Sequence, residues 1–264
     1  MQTTTQATLP EDTEDIRSWL KLATKAEHEA LHHQKLLLAL HEGTIDLIDY
    51  QQVLRSFLVT YTTAQQACRS ARSRHLTKLP AIIDVDEHIR LLSKDLTYCA
   101  QMTQTEDKQR DCSLQSFLPQ ALAKLVAQSL WQQTQRGTLS AWLMGQFYSL
   151  HGSRFGRGIL FKGAGHLFNM ADSNTMLKHP DCSAHETKQI MTARPCTLGR
   201  TFLSLKASAE TCSWSTFCDI LNQTVVTRDQ RNACHTGASL SFKLLGALLN
   251  LNPAHQEFNE THAM

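Results

Sequence analysis

Gly145-Gln146-Phe147-Tyr148-Ser149-Leu150-His151-Gly152-Ser153-Arg154-Phe155-Gly156-Arg157-Gly158-Ile159-Leu160-Phe161-Lys162-Gly163-Ala164-Gly165 carries six of the chain's eleven glycines, yet it reads as helix. On its flanks, 139–150 and 159–170, apolar residues recur at three- and four-residue steps. Each glycine inside a helix costs about 1 kcal/mol relative to alanine, so this many at helical spacing need a reason. At about 100° per residue, Gly145, Gly152, Gly156 and Gly163 fall within about 40° of one another. They form one bare stripe along a single face. Such a stripe admits close contact with the backbone, either by a neighbouring helix or by a flat ligand. Glycines alone leave both readings open.

The rest of the chain supports an all-α fold. It has 264 residues, 42% of them hydrophobic and 19% charged, which is enough apolar material for a sizeable core. Six prolines and few β-branched runs argue against a sheet. A net charge of +2, with no basic block, gives no reason to expect nucleic acid as a partner. The eight cysteines are widely spaced without a C-x-x-C pair, so neither a zinc cluster nor a disulfide framework is expected. A polar, acidic start and the lack of a long apolar run predict no signal peptide and no membrane span. A reducing cytoplasm with free, mostly buried thiols is the expected setting.

Taken in order, the periodicity predicts a Thr/Gln-rich disordered tail over 1–11, one helical domain over 12–252 and a polar tail over 253–264. Within the domain, the first helix runs from about 12 to the stop at Gly43, with Ile16, Leu20, Ala23, Ala30 and Leu38 on its apolar face. Lys21, Lys25, His28 and His32 lie beside that face, within about 60° of each other. A second helix, 48–73, is capped by Asp46 or Asp49 and turns Val53, Phe57, Val59, Tyr61 and Ala64 inward. Further helices are expected near 84–102, 114–135, 138–171, 184–193, 197–210, 213–226 and 228–250. The last buries Ala233, Ala238, Leu240, Phe242, Leu245 and Leu249. No internal repeat or composition break divides the chain, so a single domain of eight or nine helices is expected.

Phosphate-cradling loops and serine-hydrolase elbows are missing. His28-Glu29-Ala30-Leu31-His32 matches the H-E-x-x-H pattern of zinc hydrolases, but spacing places no third ligand. Leu20-Lys21-Leu22-Ala23-Thr24-Lys25-Ala26-Glu27-His28 resembles instead the opening helix of the heme oxygenases, L-[KR]-x-A-T-x-x-x-H, which ends in the iron-binding histidine. Tyr148-Ser149-Leu150-His151-Gly152-Ser153-Arg154-Phe155-Gly156 is similar to the Y-x-x-E-G-S-x-L-G run of the bacterial members, whose distal helix bends over the heme at its glycines. Leu91-Leu92-Ser93-Lys94-Asp95-Leu96 is similar to the family's L-x-x-D-L. The resemblance spans about residues 14–250.

It implies an all-α, heme oxygenase-like domain that cleaves heme to biliverdin, carbon monoxide and iron. Oxygen and electrons from a ferredoxin or an NAD(P)H-dependent reductase would be required. Heme would be both substrate and cofactor, with His28 as iron ligand and His32 as its rival. Lys21 and Lys25 would meet the propionates, and Tyr148, Gly152 and Gly156 would line the ring. Gly152, Ser153, Gly156 and Arg157 would form the distal wall where oxygen reacts. Heme is flat and largely apolar, so a histidine on one side and bare backbone on the other suit it.

The chain also departs from the family pattern. Relatives carry a second glycine where Arg157 stands, and His151 replaces the acid before the first glycine. Ser153 stands where animal enzymes carry a catalytic aspartate, as it does in bacterial relatives. Arg157 is expected to point outward or toward a propionate. Turned inward over the ring, it would favour a heme-binding or heme-sensing protein without turnover. A thiaminase-like small-molecule site and a plain interaction scaffold are the remaining classes.

Overall fold

The computed structural model describes residues 15–73, 85–103, 119–169, 199–204 and 213–251. All regular structure among them is helical. In order the helices are α1 (Ile16–Ala23), α2 (Lys25–His32), α3 (Lys35–Glu42), α4 (Leu47–Ser73), α5 (Val85–Met102) and α6 (Gln120–Gln135). There follow α7 (Leu139–Gly163), α8 (Gly165–Asn169), α9 (Thr201–Ser204), α10 (Trp214–Thr224) and α11 (Arg228–Leu249). The all-α expectation holds, but eleven helices among the described residues exceed the eight or nine expected. The expected tails at 1–11 and 253–264 and the helix at 184–193 lie outside the described residues.

The extra helices come from breaks that periodicity does not register. The expected first helix is three. At Thr24 the backbone leaves helical geometry (φ −105°, ψ 11°), and the Thr24 hydroxyl donates to the Leu20 carbonyl at 2.8 Å. A second break falls at His33 and Gln34, and Gly43 closes α3 in the left-handed conformation at φ 72°. Each break resets the phase of the buried face. Ile16 and Leu20 are buried as expected, but Ala30 and Leu38 are exposed, and Leu31 and Leu40 are buried in their place. The expected 138–171 helix likewise divides at Ala164.

Elsewhere the sequence rules hold. Asp46, not Asp49, caps α4, accepting from the Asp49 amide at 2.8 Å. Val53, Phe57, Val59, Tyr61 and Ala64 are all buried. A capping box of Thr227 and Gln230 opens α11, which buries the expected residues except Phe242, half-buried.

The centre of the molecule is the pairing of α7 with α11. A Cβ on Gly145 would lie 1.8 Å from the Cys234 carbonyl oxygen, and one on Gly237 would lie 2.0 Å from that of Trp142. The two backbones touch where neither helix has a side chain. Leucines, Trp142 and Phe147 extend this contact into the main core, which α4 and α5 close from another side.

Candidate functional site

The bare stripe has two characters. At its ends it serves packing: Gly145 meets α11, and a Cβ on Gly163 would lie 1.6 Å from the Leu40 carbonyl oxygen of α3. In its middle it differs: among the described residues, a Cβ on Gly152 or Gly156 would meet nothing within 4 Å, and the same holds for Gly158. Helix α7 runs unbroken through all of these. The close-packing and ligand readings of the stripe therefore apply to different glycines.

His28 lies on α2 with its ring edge-on to His32 (centroids 4.6 Å apart) and to Phe242 of α11 (5.8 Å). Its side chain is exposed by area yet crowded by those rings. Partial burial first, and the charge of His32 second, push the imidazole below its ordinary pKa, against the pull of Glu29. His28 is thereby disposed to be neutral, the form that ligates a metal. Next to it, burial would raise the Glu27 carboxyl. The Ser239 hydroxyl, donating at 2.7 Å, and the charges of Lys243 and His235 instead hold it below the usual range. These contacts fasten α2 to α11.

Lys21 and Lys25 are both exposed, but the break at Thr24 puts them on separate helices, α1 and α2, not on one continuous stripe. Lys25 pairs with Glu29 at 3.6 Å, an exposed pair that holds it only weakly. Tyr148 is half-buried beside Trp214 of α10, 5.8 Å between centroids. Burial pushes its hydroxyl up to about 12, with Arg17 opposing the shift. Ser153 donates to the Leu150 carbonyl at 2.6 Å. His151 is buried and stacked on Trp214 at 5.4 Å, part of the packing between α7 and α10.

Arg157 departs from expectation. It is only 2% exposed and points into the core. Its guanidinium donates to Nε2 of His88 at 3.0 Å and to the Tyr61 hydroxyl at 3.3 Å, and lies 4.7 Å from the Phe202 ring centroid. On an α-helix Arg157 leaves the axis about 100° from Gly156 and about 140° from Gly152. It is turned toward α4, α5 and α9, so it neither points outward nor covers the glycine face. Sequence reasoning named Tyr61 only as a core residue and Phe202 only as part of a helix, and did not name His88. A buried arginine needs acceptors and aromatic faces, but their positions in three other helices follow no spacing rule.

Helices α2 and α7 have no extensive contact with each other; each packs on α3 and on α11. A cavity of about 440 Å³ lies between α2 and α11, lined by Glu27, Ala30, Leu31, Gln34, Phe242 and Gly246. It includes neither His28 nor the α7 glycines. Among the described residues no cluster of three or more His, Cys, Asp or Glu could hold a metal ion, so the H-E-x-x-H pattern gains no third protein ligand. Within them, no helix is long and apolar enough to cross a membrane. Cys68, Cys99 and Cys234 are buried free thiols.

The heme oxygenase family profile matches residues 14–250, and the chain belongs to that family. Among solved structures, it is similar to the heme oxygenase of Leptospira interrogans, with 13% identity and a TM-score of 0.56, over 89% of this chain and 98% of that one. It is also similar to heme oxygenase-1 of the cyanobacterium Synechocystis, solved in complex with heme. There the identity is 11% and the TM-score 0.53, over 92% of this chain and 94% of that one. At these identities the likeness shows the fold. No curated protein matches the chain in sequence.

Proposed function

We propose that this protein is a heme oxygenase that cleaves heme to biliverdin, carbon monoxide and iron, using oxygen and electrons from a ferredoxin or an NAD(P)H-dependent reductase. The observation that carries the reading is that, among the described residues, nothing packs against Gly152 or Gly156, on a helix whose other stripe glycines meet neighbouring backbone. Glycine at those two positions costs helix stability, and no packing partner among the described residues offsets it. A flat substrate lying against the backbone supplies the reason.

In this reading heme enters between α2 and α7, with α3 and α11 as the side walls. His28 holds the iron as a neutral imidazole. Its depressed pKa lets it do so without first losing a proton at neutral pH. Lys21 and Lys25 meet the propionates at the exposed edge, and Tyr148 borders the ring from the same face of α7 as Gly152. Heme supplies the redox centre and is itself the carbon skeleton that is oxidised. The protein's share is ligation, orientation and the shaping of the distal space. Ser153, with its proton donated to Leu150, offers its oxygen as an acceptor beside Gly152. Arg157 turns toward α4, α5 and α9, away from the glycine face, which favours turnover over heme binding without it.

Hemin titration tests the binding half. Wild-type protein gives a Soret band, and His28→Ala abolishes or shifts it, whereas His32→Ala leaves it in place. An unchanged spectrum for His28→Ala would overturn the ligand assignment.

A further inference from the structure

Arg157 stands where relatives keep a glycine, and its contacts are aimed at the segment that carries the open glycines. Its guanidinium donates to the Tyr61 hydroxyl, and that hydroxyl donates in turn to the Leu150 carbonyl at 3.3 Å. One tyrosine of α4 thus grips α7 at two points seven residues apart, about 10 Å along the axis. Gly152 and Gly156 lie between those points. Leu150 and Arg157 share one face, separated by about 20°, while the two glycines leave the helix about 100–160° away from them. The grip is on the back of the bare wall.

The other contacts stiffen it. A guanidinium has only donors, so Nε2 of His88 accepts, and the ring proton of a neutral His88 sits on Nδ1. His88 stacks on Tyr61 with centroids 5.0 Å apart and planes 8° apart. Phe202 closes the cluster edge-on to Tyr61 at 5.8 Å, under the guanidinium. Asp95 of α5 fixes Phe202 in turn, accepting from the Thr201 and Phe202 amides at 2.8 Å each. Three helices, α4, α5 and α9, therefore converge on the back of a segment that glycine would otherwise leave free to twist.

We propose that Arg157 is a positioning residue: through Tyr61 and His88 it fixes how the bare backbone of Gly152 and Gly156 faces a bound heme, and hence which edge of the ring is oxidised. The second half rests on the heme oxygenase reading, and the first half does not. The test joins two measurements on the full chain. Amide hydrogen exchange without ligand, in Arg157→Met, is expected to quicken at least tenfold over residues 151–158 while α11 stays unchanged. Tyr61→Phe should quicken it severalfold, and Arg157→Lys should fall between Arg157→Met and wild type. Exchange that is unchanged in that segment, or that rises equally in α11, overturns the brace. If Arg157→Met does not fold, Tyr61→Phe and Arg157→Lys carry the same criterion.

In the second measurement, hemin affinity is expected to stay within about threefold of wild type, because His28 is untouched. The bilin isomer ratio produced with reductant is expected to shift in Arg157→Met and to return toward wild type in Arg157→Lys. An unchanged ratio overturns the link to regiospecificity. A wild-type protein that forms no hemin complex overturns the functional reading instead, and the exchange result still decides the brace.

Discussion

Around His28 the protein favours the neutral imidazole by partial burial and by the neighbouring charge of His32. The folded chain binds this proton less readily than the unfolded one does. The contribution to stability is therefore full above about pH 6.5, the ordinary histidine value, and is lost as the pH falls below it toward the folded value. The same competition governs ligation. We expect the Soret band of the hemin complex to persist on acidification past pH 6.5, with a midpoint below that value in a spectrophotometric titration; a midpoint above it would contradict the assigned environment. The motif ending at His28 was legible because it is contiguous in sequence, although the break at Thr24 divides it between α1 and α2. Arg157 was not, because its direction is decided by Tyr61, His88 and Phe202, which lie on α4, α5 and α9.

Helix α7 shows how one periodic feature serves two purposes. The stripe of glycines could be read from spacing, but the division of labour along it could not, since that depends on where α3 and α11 cross. The division makes opposed predictions. Gly145→Ala and Gly163→Ala drive a Cβ into a backbone carbonyl and should each cost roughly 3 kcal/mol or more in denaturant unfolding. Gly152→Ala and Gly156→Ala meet no described residue within 4 Å and should each stabilise the free protein by about 0.5–1 kcal/mol through helix propensity, while weakening hemin binding. Equal destabilisation by all four would mean that the whole stripe is packing. The breaks at Thr24 and at His33 were also hidden from periodicity. Neither is a glycine or proline, and each is stabilised by its own local bonds, the Thr24 hydroxyl on Leu20 and the Gln34 amide on Leu31.

At the scale of the molecule, distant segments are tied by a few buried polar groups. Asp95 accepts two backbone amides at the start of α9 across more than one hundred residues of sequence. Burial pushes its carboxyl up, opposed by those same amides and the Thr201 hydroxyl. Asp95→Ala strands both donors and should cost about 3 kcal/mol, or a melting temperature lower by about 6–12 °C, with Asp95→Asn less affected. A melting point unchanged in Asp95→Ala would show the tie to be dispensable. The sequence match to L-x-x-D-L pointed at this residue without its reason, which is to seat Phe202 beneath Arg157. The all-α class and the extent of the family match were legible from pattern alone. That α2 and α7 both pack on α3 and on α11 was not, because such crossings are set by packing. The central claim concerns turnover at the bare face of α7, and single-turnover absorption spectroscopy tests it most directly. The hemin complex is given ascorbate or a reductase in air. The account predicts decay of the Soret band with stoichiometric appearance of a bilin and carbon monoxide; a Soret band that stays constant under oxygen and reductant would contradict it.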